Sequence, residues 1–235
     1  DKIIPFLSEQ YRIYTLDLPG CGRSDKPAIT YTNYLFVRLI HSFIHDVIKE
    51  DVTVAATSLS SSFVFMAAAF DHAGIKKIFA INPPSLRDLS SSVSNTGYAL
   101  RVMLSLPVLG TCIYHVVTNR RNIEFNFAEN LYYNPFQLSK TEIERYYVAS
   151  HLGSGNGRFL LSSLKGGYVN WDIRHVLSAM DIPVTLIVGD KQSNGKKAAM
   201  AYVKLNDSFK IRTVLQSKAL PQKENPSMTA RFIKS

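Results

Sequence analysis

The sequence YRIYTLDLPGCGRSDKP occupies residues 11–27 of this chain. Its first part, Tyr11–Leu16, alternates along the backbone and is rich in β-forming residues, which predicts a strand. Its second part, Asp17–Pro27, is dense in glycine and proline, which predicts a loop. The block therefore indicates a β-strand that runs into a tightly turned loop.

Further apolar segments of strand length recur along the chain. They are Val52–Ala56, Lys77–Ile81, Pro183–Val188 and Ile211–Leu215. Helical patterns precede and follow the first of these segments, Val52–Ala56. Apolar pairs recur every four residues over Tyr34–Lys49, and small and apolar residues continue after Ser58 to Phe70. Continuous apolar strands that alternate with helices predict an α/β fold whose parallel sheet is covered on both faces.

The pattern changes between Ser85 and Asp181, where helical spacing and many aromatic residues replace the strand pattern. We therefore expect a helical insertion, residues 85–181, over a core made of residues 1–84 and 182–235. An insertion at this point would lie over the carboxyl ends of the strands, which is where open α/β sheets bind ligands.

A candidate nucleophile lies where the Val52–Ala56 strand meets the following helix. The pentapeptide Ala56–Ser60 has the context in which G-x-S-x-G forms a strained turn that exposes a serine hydroxyl. Ser58 is then the candidate nucleophile, and the backbone N–H of Leu59 is a candidate oxyanion donor. The alternative is that Ser58 only caps the helix, a role that serine performs well.

Taken together, these segments resemble the α/β-hydrolase family. Residues 11–27 resemble the strand and loop before the catalytic serine, including a structural aspartate at Asp17, and residues 52–61 resemble the nucleophile turn. Residues 77–83, 182–189 and 220–226 resemble later segments of the same family. The resemblance implies a doubly wound, mostly parallel sheet with an inserted all-helical cap, and a serine hydrolase of esterase type acting on a small lipophilic substrate.

The chain departs from that family at two catalytic positions. Ala219 stands where the family places its histidine, and no histidine follows His175. Gln192 stands at the usual position of the acid, which leaves Asp190, two residues earlier, as the candidate acid. Of the usual triad only Ser58 transfers by position, and a serine without a base is a poor nucleophile.

An active enzyme would need another histidine in place of the missing base. Our candidate is His151, because it lies in the helical insertion beside Gly153 and Gly155, which allow close approach of the backbone. The alternative is that His151 is an ordinary partly buried or surface residue. His41 and His45 have the i, i+4 spacing of a metal pair, but a solvated helix face explains them better, so no metal is expected.

Composition narrows the range of partners. The formal charge of +9 favours acidic surfaces such as anionic lipid, but the basic residues are scattered and no nucleic-acid motif accompanies them. We expect no cofactor, because Asp25 stands where a dinucleotide loop starting at Gly20 requires its third glycine. The two cysteines form no disulfide pattern, which favours a cytoplasmic protein. No apolar run reaches the length of a membrane-spanning helix, although peripheral contact with a membrane stays open.

Two hypotheses follow from the sequence. In the first, the protein is a serine hydrolase in which Ser58 is the nucleophile, Leu59 N–H an oxyanion donor, His151 the base and Asp190 the acid. In the second, the protein is catalytically silent and binds a hydrophobic ligand or a protein partner. Ser58 and its turn favour the first hypothesis, whereas Ala219 and Gln192 favour the second.

Overall fold

The computed structural model describes residues 2–70 and 74–235 of the chain. Asp1 and residues 71–73, which belong to the expected core range 1–84, lie outside the described residues. The described sheet has four strands in sequential order, all parallel. They are β1 (Val52–Thr57), β2 (Ile75–Ile81), β3 (Val184–Gly189) and β4 (Lys210–Val214). Each coincides with one of the four later apolar segments, so these strand predictions are confirmed.

Helices connect and cover the strands. They are α1 (Ile4–Leu7), α2 (Asn33–Ser42, continued as a π-helix over Phe43–Ile48), α3 (Ser60–Phe70), α4 (Leu86–Ser90), α5 (Asn95–Ser105), α6 (Pro107–Val117), α7 (Arg120–Asn126, continued as a π-helix over Phe127–Leu131), α8 (Lys140–His151), α9 (Gly157–Lys165), α10 (Arg174–Ser178), α11 (Gly195–Val203), α12 (Pro221–Glu224) and α13 (Pro226–Lys234). A short 3-10 turn covers Pro135–Gln137. Residues 82–183, all described, contain helices and no strand, as their spacing predicts.

On the two central strands, β2 and β3, apolar side chains on both faces are buried, which explains why these strands lack an alternating polar pattern. Ile78 and Ala80 of β2 belong to a cluster that includes residues of α2, α3 and α11. Phe79 and Ile81, their neighbours on the same strand, belong to a second cluster with residues of α1 and α13. The sheet is therefore covered on both faces, as a doubly wound fold requires.

The predicted strand Tyr11–Leu16 is wrong. These residues form no strand, and Tyr11, Tyr14 and Leu16 are all exposed. The physical reason is that a strand exists only through its ladder of hydrogen bonds to a neighbour. Among the described residues β1 pairs with β2 alone, and no strand lies beside residues 11–16.

The loop that follows, Asp17–Pro27, is held by a hydrogen bond to the side chain of Asp17. The carboxylate of Asp17 accepts a hydrogen bond from the backbone N–H of Arg23 at 3.0 Å. Gly22 has a φ of +50°, and a Cβ there would lie 2.2 Å from that carboxylate. Asp17 therefore organises the loop, which confirms its structural role, and Gly22 provides the space for its side chain.

None of the described helices is by itself long and apolar enough to cross a membrane. One bent pair, α5 with α6, meets the requirement jointly by length and composition, with 112° between its two helices.

Leu186, fully buried at the centre of β3, tests the sheet core. We expect Leu186→Ala to lower the free energy of unfolding by about 2–5 kcal/mol, because it removes buried methyl groups and leaves a cavity. Urea denaturation measures the change. The matched control is Leu215→Ala just after β4, where the side chain is exposed and we expect a change within about 0.5 kcal/mol. Equal losses for the two variants would contradict this description of the core.

Candidate functional site

Ser58 lies in a sharp turn between β1 and α3. Its φ is +53°, in the left-handed region that non-glycine residues rarely occupy. The turn is fixed by two backbone hydrogen bonds, from Ser58 N–H to the Ile81 carbonyl at 2.9 Å and from Ser61 N–H to the Ser58 carbonyl at 3.0 Å. The side chain of Ser58 is exposed, and no described residue bonds to its hydroxyl. This is the strand–turn–helix geometry that presents a serine at a sheet edge.

The residues around Ser58 allow the close approach of strand and helix. Ala56 is buried, and its carbonyl accepts a hydrogen bond from the Ser61 hydroxyl at 3.1 Å. Leu59 lies between the end of β1 and the first residue of α3, and its backbone N–H bonds to no acceptor among the described residues. That N–H is therefore available to a ligand oxygen beside Ser58.

Asn82, which the sequence analysis did not select, connects three segments at the strand ends. It follows β2 directly, is buried and has a φ of +43°. Its Nδ2 donates to the carbonyls of Lys218 at 2.8 Å and Ala219 at 3.0 Å, and its Oδ1 accepts from Gly189 N–H at 3.1 Å. An asparagine after a buried strand is a detectable signal, since asparagine tolerates the left-handed conformation.

Ala219, which the sequence resemblance aligns with the family's histidine, is held by backbone contacts. Its N–H donates to the Leu131 carbonyl at 3.1 Å, and its own carbonyl accepts from Asn82. A second unpredicted residue, Gln222, belongs to the same segment near the end of the chain, residues 217–226, which we call the tail. Its Nε2 donates a hydrogen bond at 3.3 Å to the hydroxyl of Thr57, the residue before Ser58. Gln222 Oε1 is buried and has no hydrogen-bond partner among the described residues. No sequence signal beyond its nearness to Ala219 marks Gln222.

The two candidate acid positions lie after β3. Asp190 accepts a hydrogen bond from Ser217 N–H at 3.1 Å and pairs with Lys191 at 3.4 Å, so it orders the start of the tail. Gln192 holds a buried Oε1 that has no partner among the described residues. Neither residue bonds to a histidine in the described part of the chain.

His151, the candidate base, lies at the end of α8 in an aromatic stack. Its ring centroid is 4.1 Å from that of Tyr147 and 4.9 Å from that of His115. Its Nδ1 is 2.8 Å from the Tyr147 carbonyl and 3.0 Å from the Ser150 hydroxyl. No hydrogen bond joins His151 to Ser58 within residues 2–70 and 74–235. Its role as a base therefore stays a prediction.

The other described histidines lie elsewhere. His175 lines a cavity of about 420 Å³ beside Ala68 and Ile182, near the end of α3 and before β3 begins. His41 and His45 stack at 5.9 Å on α2 and its π-helical continuation, and His45 bonds to Asp46 at 2.9 Å. In the described part of the chain no three His, Cys, Asp or Glu side chains are grouped to hold a metal.

Two glutamates attach the tail to the helical region. Glu142 of α8 accepts hydrogen bonds from Lys223 at 2.5 Å and from the Tyr132 hydroxyl at 3.0 Å. Burial alone would raise the pKa of Glu142, but the hydrogen bond and charge of Lys223 outweigh it and keep that pKa below its ordinary value. Glu224 accepts from the backbone N–H groups of Tyr133 at 2.6 Å and Lys218 at 2.7 Å.

Comparison with known proteins agrees with this geometry. A family model described as alpha/beta hydrolase fold matches residues 1–107. No curated protein matches the chain in sequence. Together with the structural comparisons that follow, the match confirms the resemblance to the α/β-hydrolase fold family.

Solved structures of this fold superpose on nearly the whole chain. Cfl2 from Burkholderia cenocepacia has a TM-score of 0.77 at 17% identity, covering 99% of this chain and 81% of that chain. For a thermophilic esterase from Thermogutta terrifontis the TM-score is 0.73 at 15% identity, with coverages of 99% and 82%. The carboxylesterase CesB from Bacillus subtilis has a TM-score of 0.72 at 19% identity, with coverages of 100% and 76%. At these identities the likeness shows the fold alone.

Replacing Ser58 tests the strain at the turn. We expect Ser58→Gly to raise the free energy of unfolding by about 1 kcal/mol, because glycine adopts a positive φ without steric cost. Chemical denaturation measures the change. The control is Ser60→Gly in the first turn of α3, where glycine should lower stability by about 0.5 kcal/mol. A loss of stability in Ser58→Gly would show that the turn is not strained.

Breaking the Glu142–Lys223 ion pair tests the connection between α8 and the tail. We expect Glu142→Gln to lower the free energy of unfolding at neutral pH by about 2 kcal/mol, because a partly buried ion pair is broken. Since the pKa of Glu142 is lowered by folding, its contribution is complete above its ordinary value of 4.5 and is lost as the pH falls below it. The difference between wild type and variant should therefore shrink in acid.

The matched control for that experiment is Glu144→Gln. Glu144 pairs with Arg120 at 2.7 Å, but both side chains are about half exposed, so its removal should change the free energy of unfolding much less than Glu142→Gln does. Denaturant unfolding across the acid range measures both variants. A pH-independent difference for Glu142→Gln would contradict the ion pair.

Proposed function

With the α/β-hydrolase fold established for this chain, we propose that it is a catalytically silent member that binds a small lipophilic ligand beside Ser58. Residues 85–181 act as the cap of this site, over a core of residues 1–84 and 182–235. The proposal rests on Ala219, which the resemblance to the family places at the position of the base and whose backbone is fixed by Asn82 and Leu131.

The chemistry available at the turn supports binding more than turnover. A serine hydroxyl without a base is a weak nucleophile at neutral pH, and loss of the base forfeits most of the acceleration that a triad gives. What survives in such cases is about 10³–10⁴-fold over water, from oxyanion donors and binding. The Leu59 N–H and the Ser58 hydroxyl remain as donors for a ligand oxygen.

Two glutamines, Gln192 and Gln222, carry acceptor atoms that a ligand could use. The Oε1 atoms of Gln222 and Gln192 are buried without partners in the described residues, and an unpaired buried acceptor costs about 1–3 kcal/mol. A ligand group that donates a hydrogen bond would remove that cost. A neutral donor would be sufficient, since neither glutamine carries a charge.

The second candidate function is a serine hydrolase with a base from the cap. The strained turn at Ser58 and its free hydroxyl favour it. In this candidate His151 is the base and Asp190 a candidate acid, acting on a small ester. It requires His151 to leave its contacts with Tyr147 and Ser150 and to approach Ser58.

Labelling by a fluorophosphonate probe separates the two candidates. We expect wild type to be labelled no more than Ser58→Ala, and to release no product from p-nitrophenyl acetate. The variant Ala219→His/Gln192→Asp restores the missing side chains at their family positions and should gain labelling that Ser58→Ala abolishes. Thermal unfolding confirms that each variant is folded.

The opposite pattern would support the hydrolase. Labelling of wild type that disappears in Ser58→Ala and in His151→Ala, but persists in the control His175→Ala, would overturn the silent interpretation. His175 is a suitable control because it lines the separate cavity beside Ala68.

A further inference from the structure

Helices α5 and α6 form a bent hairpin that packs on α9 through its inner side. Ser105 and Ser162 join α5 to α9 by a hydroxyl contact of 3.2 Å. The Tyr114 hydroxyl of α6 lies against Gly157, where a Cβ would come within 2.1 Å of it. Leu104, Gly110 and Tyr114, which face inward, are buried. The inner side of the hairpin therefore packs against other residues of the same chain.

The outer side of the hairpin exposes large apolar side chains. We call this surface the apolar ridge; it consists of Val102, Met103, Leu106, Val108, Leu109 and Val116. Val108 is the most exposed, at 77%. On α6 the ridge residues fall at i, i+1 and i+8, on the side of the helix opposite Gly110 and Tyr114. Contiguous exposed apolar surface of this kind marks an interaction site.

The segment that carries the ridge contains basic but no acidic residues. Residues 89–123 contain no aspartate or glutamate, whereas Arg101, Arg120 and Arg121 are basic. Arg120 pairs with Glu144, but no acidic side chain among the described residues pairs with Arg101 or Arg121. The guanidinium of Arg101 lies over the rings of Tyr98 and Tyr168. The whole chain carries a formal charge of +9, so the surface is complementary to an anionic partner.

We propose that the apolar ridge inserts into the headgroup region of a membrane that contains anionic lipids. Each helix is about 16 Å long, too short to cross a bilayer, and the chain bends by 112° between them. A helix face that combines large apolar side chains with neighbouring arginines binds such interfaces by burial of apolar area and by attraction to the lipid charge. This surface acts independently of the chemistry at Ser58.

Co-sedimentation with lipid vesicles tests the proposal. We expect wild type to bind vesicles of equal parts phosphatidylserine and phosphatidylcholine more tightly than vesicles of phosphatidylcholine alone, and to be released by high salt. Val108→Asp should weaken binding by about tenfold or more, because it removes an apolar side chain that would insert into the lipid and adds a negative charge that anionic lipid repels. Arg121→Gln should weaken binding to the anionic vesicles by about fivefold.

The matched control is Val47→Asp, which makes the same substitution at an exposed valine on the π-helical continuation of α2. It should leave vesicle binding unchanged. Circular dichroism checks that both aspartate variants are folded, and Leu109→Ser provides a second ridge variant if Val108→Asp is not.

Three results would overturn the proposal. They are failure of wild type to bind anionic vesicles, equal losses in Val108→Asp and Val47→Asp, and binding that does not depend on anionic lipid. A dimer of wild type that Val108→Asp converts to a monomer, without any vesicle binding, would assign the ridge to a second copy of the chain instead. Sedimentation equilibrium distinguishes that outcome.

Discussion

The arrangement of the strand ends depends on the hydrogen bonds of the Asn82 side chain. One carboxamide binds Gly189 at the end of β3 and two carbonyls of the tail, at Lys218 and Ala219. An amide suits this position because it donates and accepts at once, and all three partners are backbone groups that must be satisfied when buried. The tail is thereby held against β2 and β3, which sets where residues 219–222 lie relative to Ser58.

The turn at Ser58 shows why a preserved backbone does not by itself establish catalysis. Its left-handed conformation is fixed by hydrogen bonds to Ile81 and Ser61, which belong to the joining of β1, β2 and α3. The fold needs that connection whether or not a base is present. Strain of about 1–3 kcal/mol at such a residue persists because the surrounding structure determines it. The chemical question therefore rests on the groups near the turn, where Gln222 contacts Thr57, the residue before Ser58.

Two carboxylates connect the tail to the helical region by hydrogen bonds. Glu142 holds Lys223, and Glu224 accepts two backbone N–H groups, one from each segment. These contacts place α8 and the tail in one arrangement, while the outer side of α5 and α6 stays apolar and unpaired. The helical region thus has an inner side that is fixed by polar contacts and an outer side that is free for a partner.

The four later strands, the helical stretch between β2 and β3 and the turn at Ser58 were determined by the sequence alone. Local pattern was sufficient there, because short apolar runs of strand length, rich in β-branched residues and bounded by turns, favour buried strands. The segment Tyr11–Leu16 shows the limit, since strand formation depends on a hydrogen-bonded neighbour that composition does not reveal. Only the tertiary structure brought Asn82, Gln222 and Ala219 to the same edge as Ser58, because their contacts join residues more than a hundred positions apart in the chain.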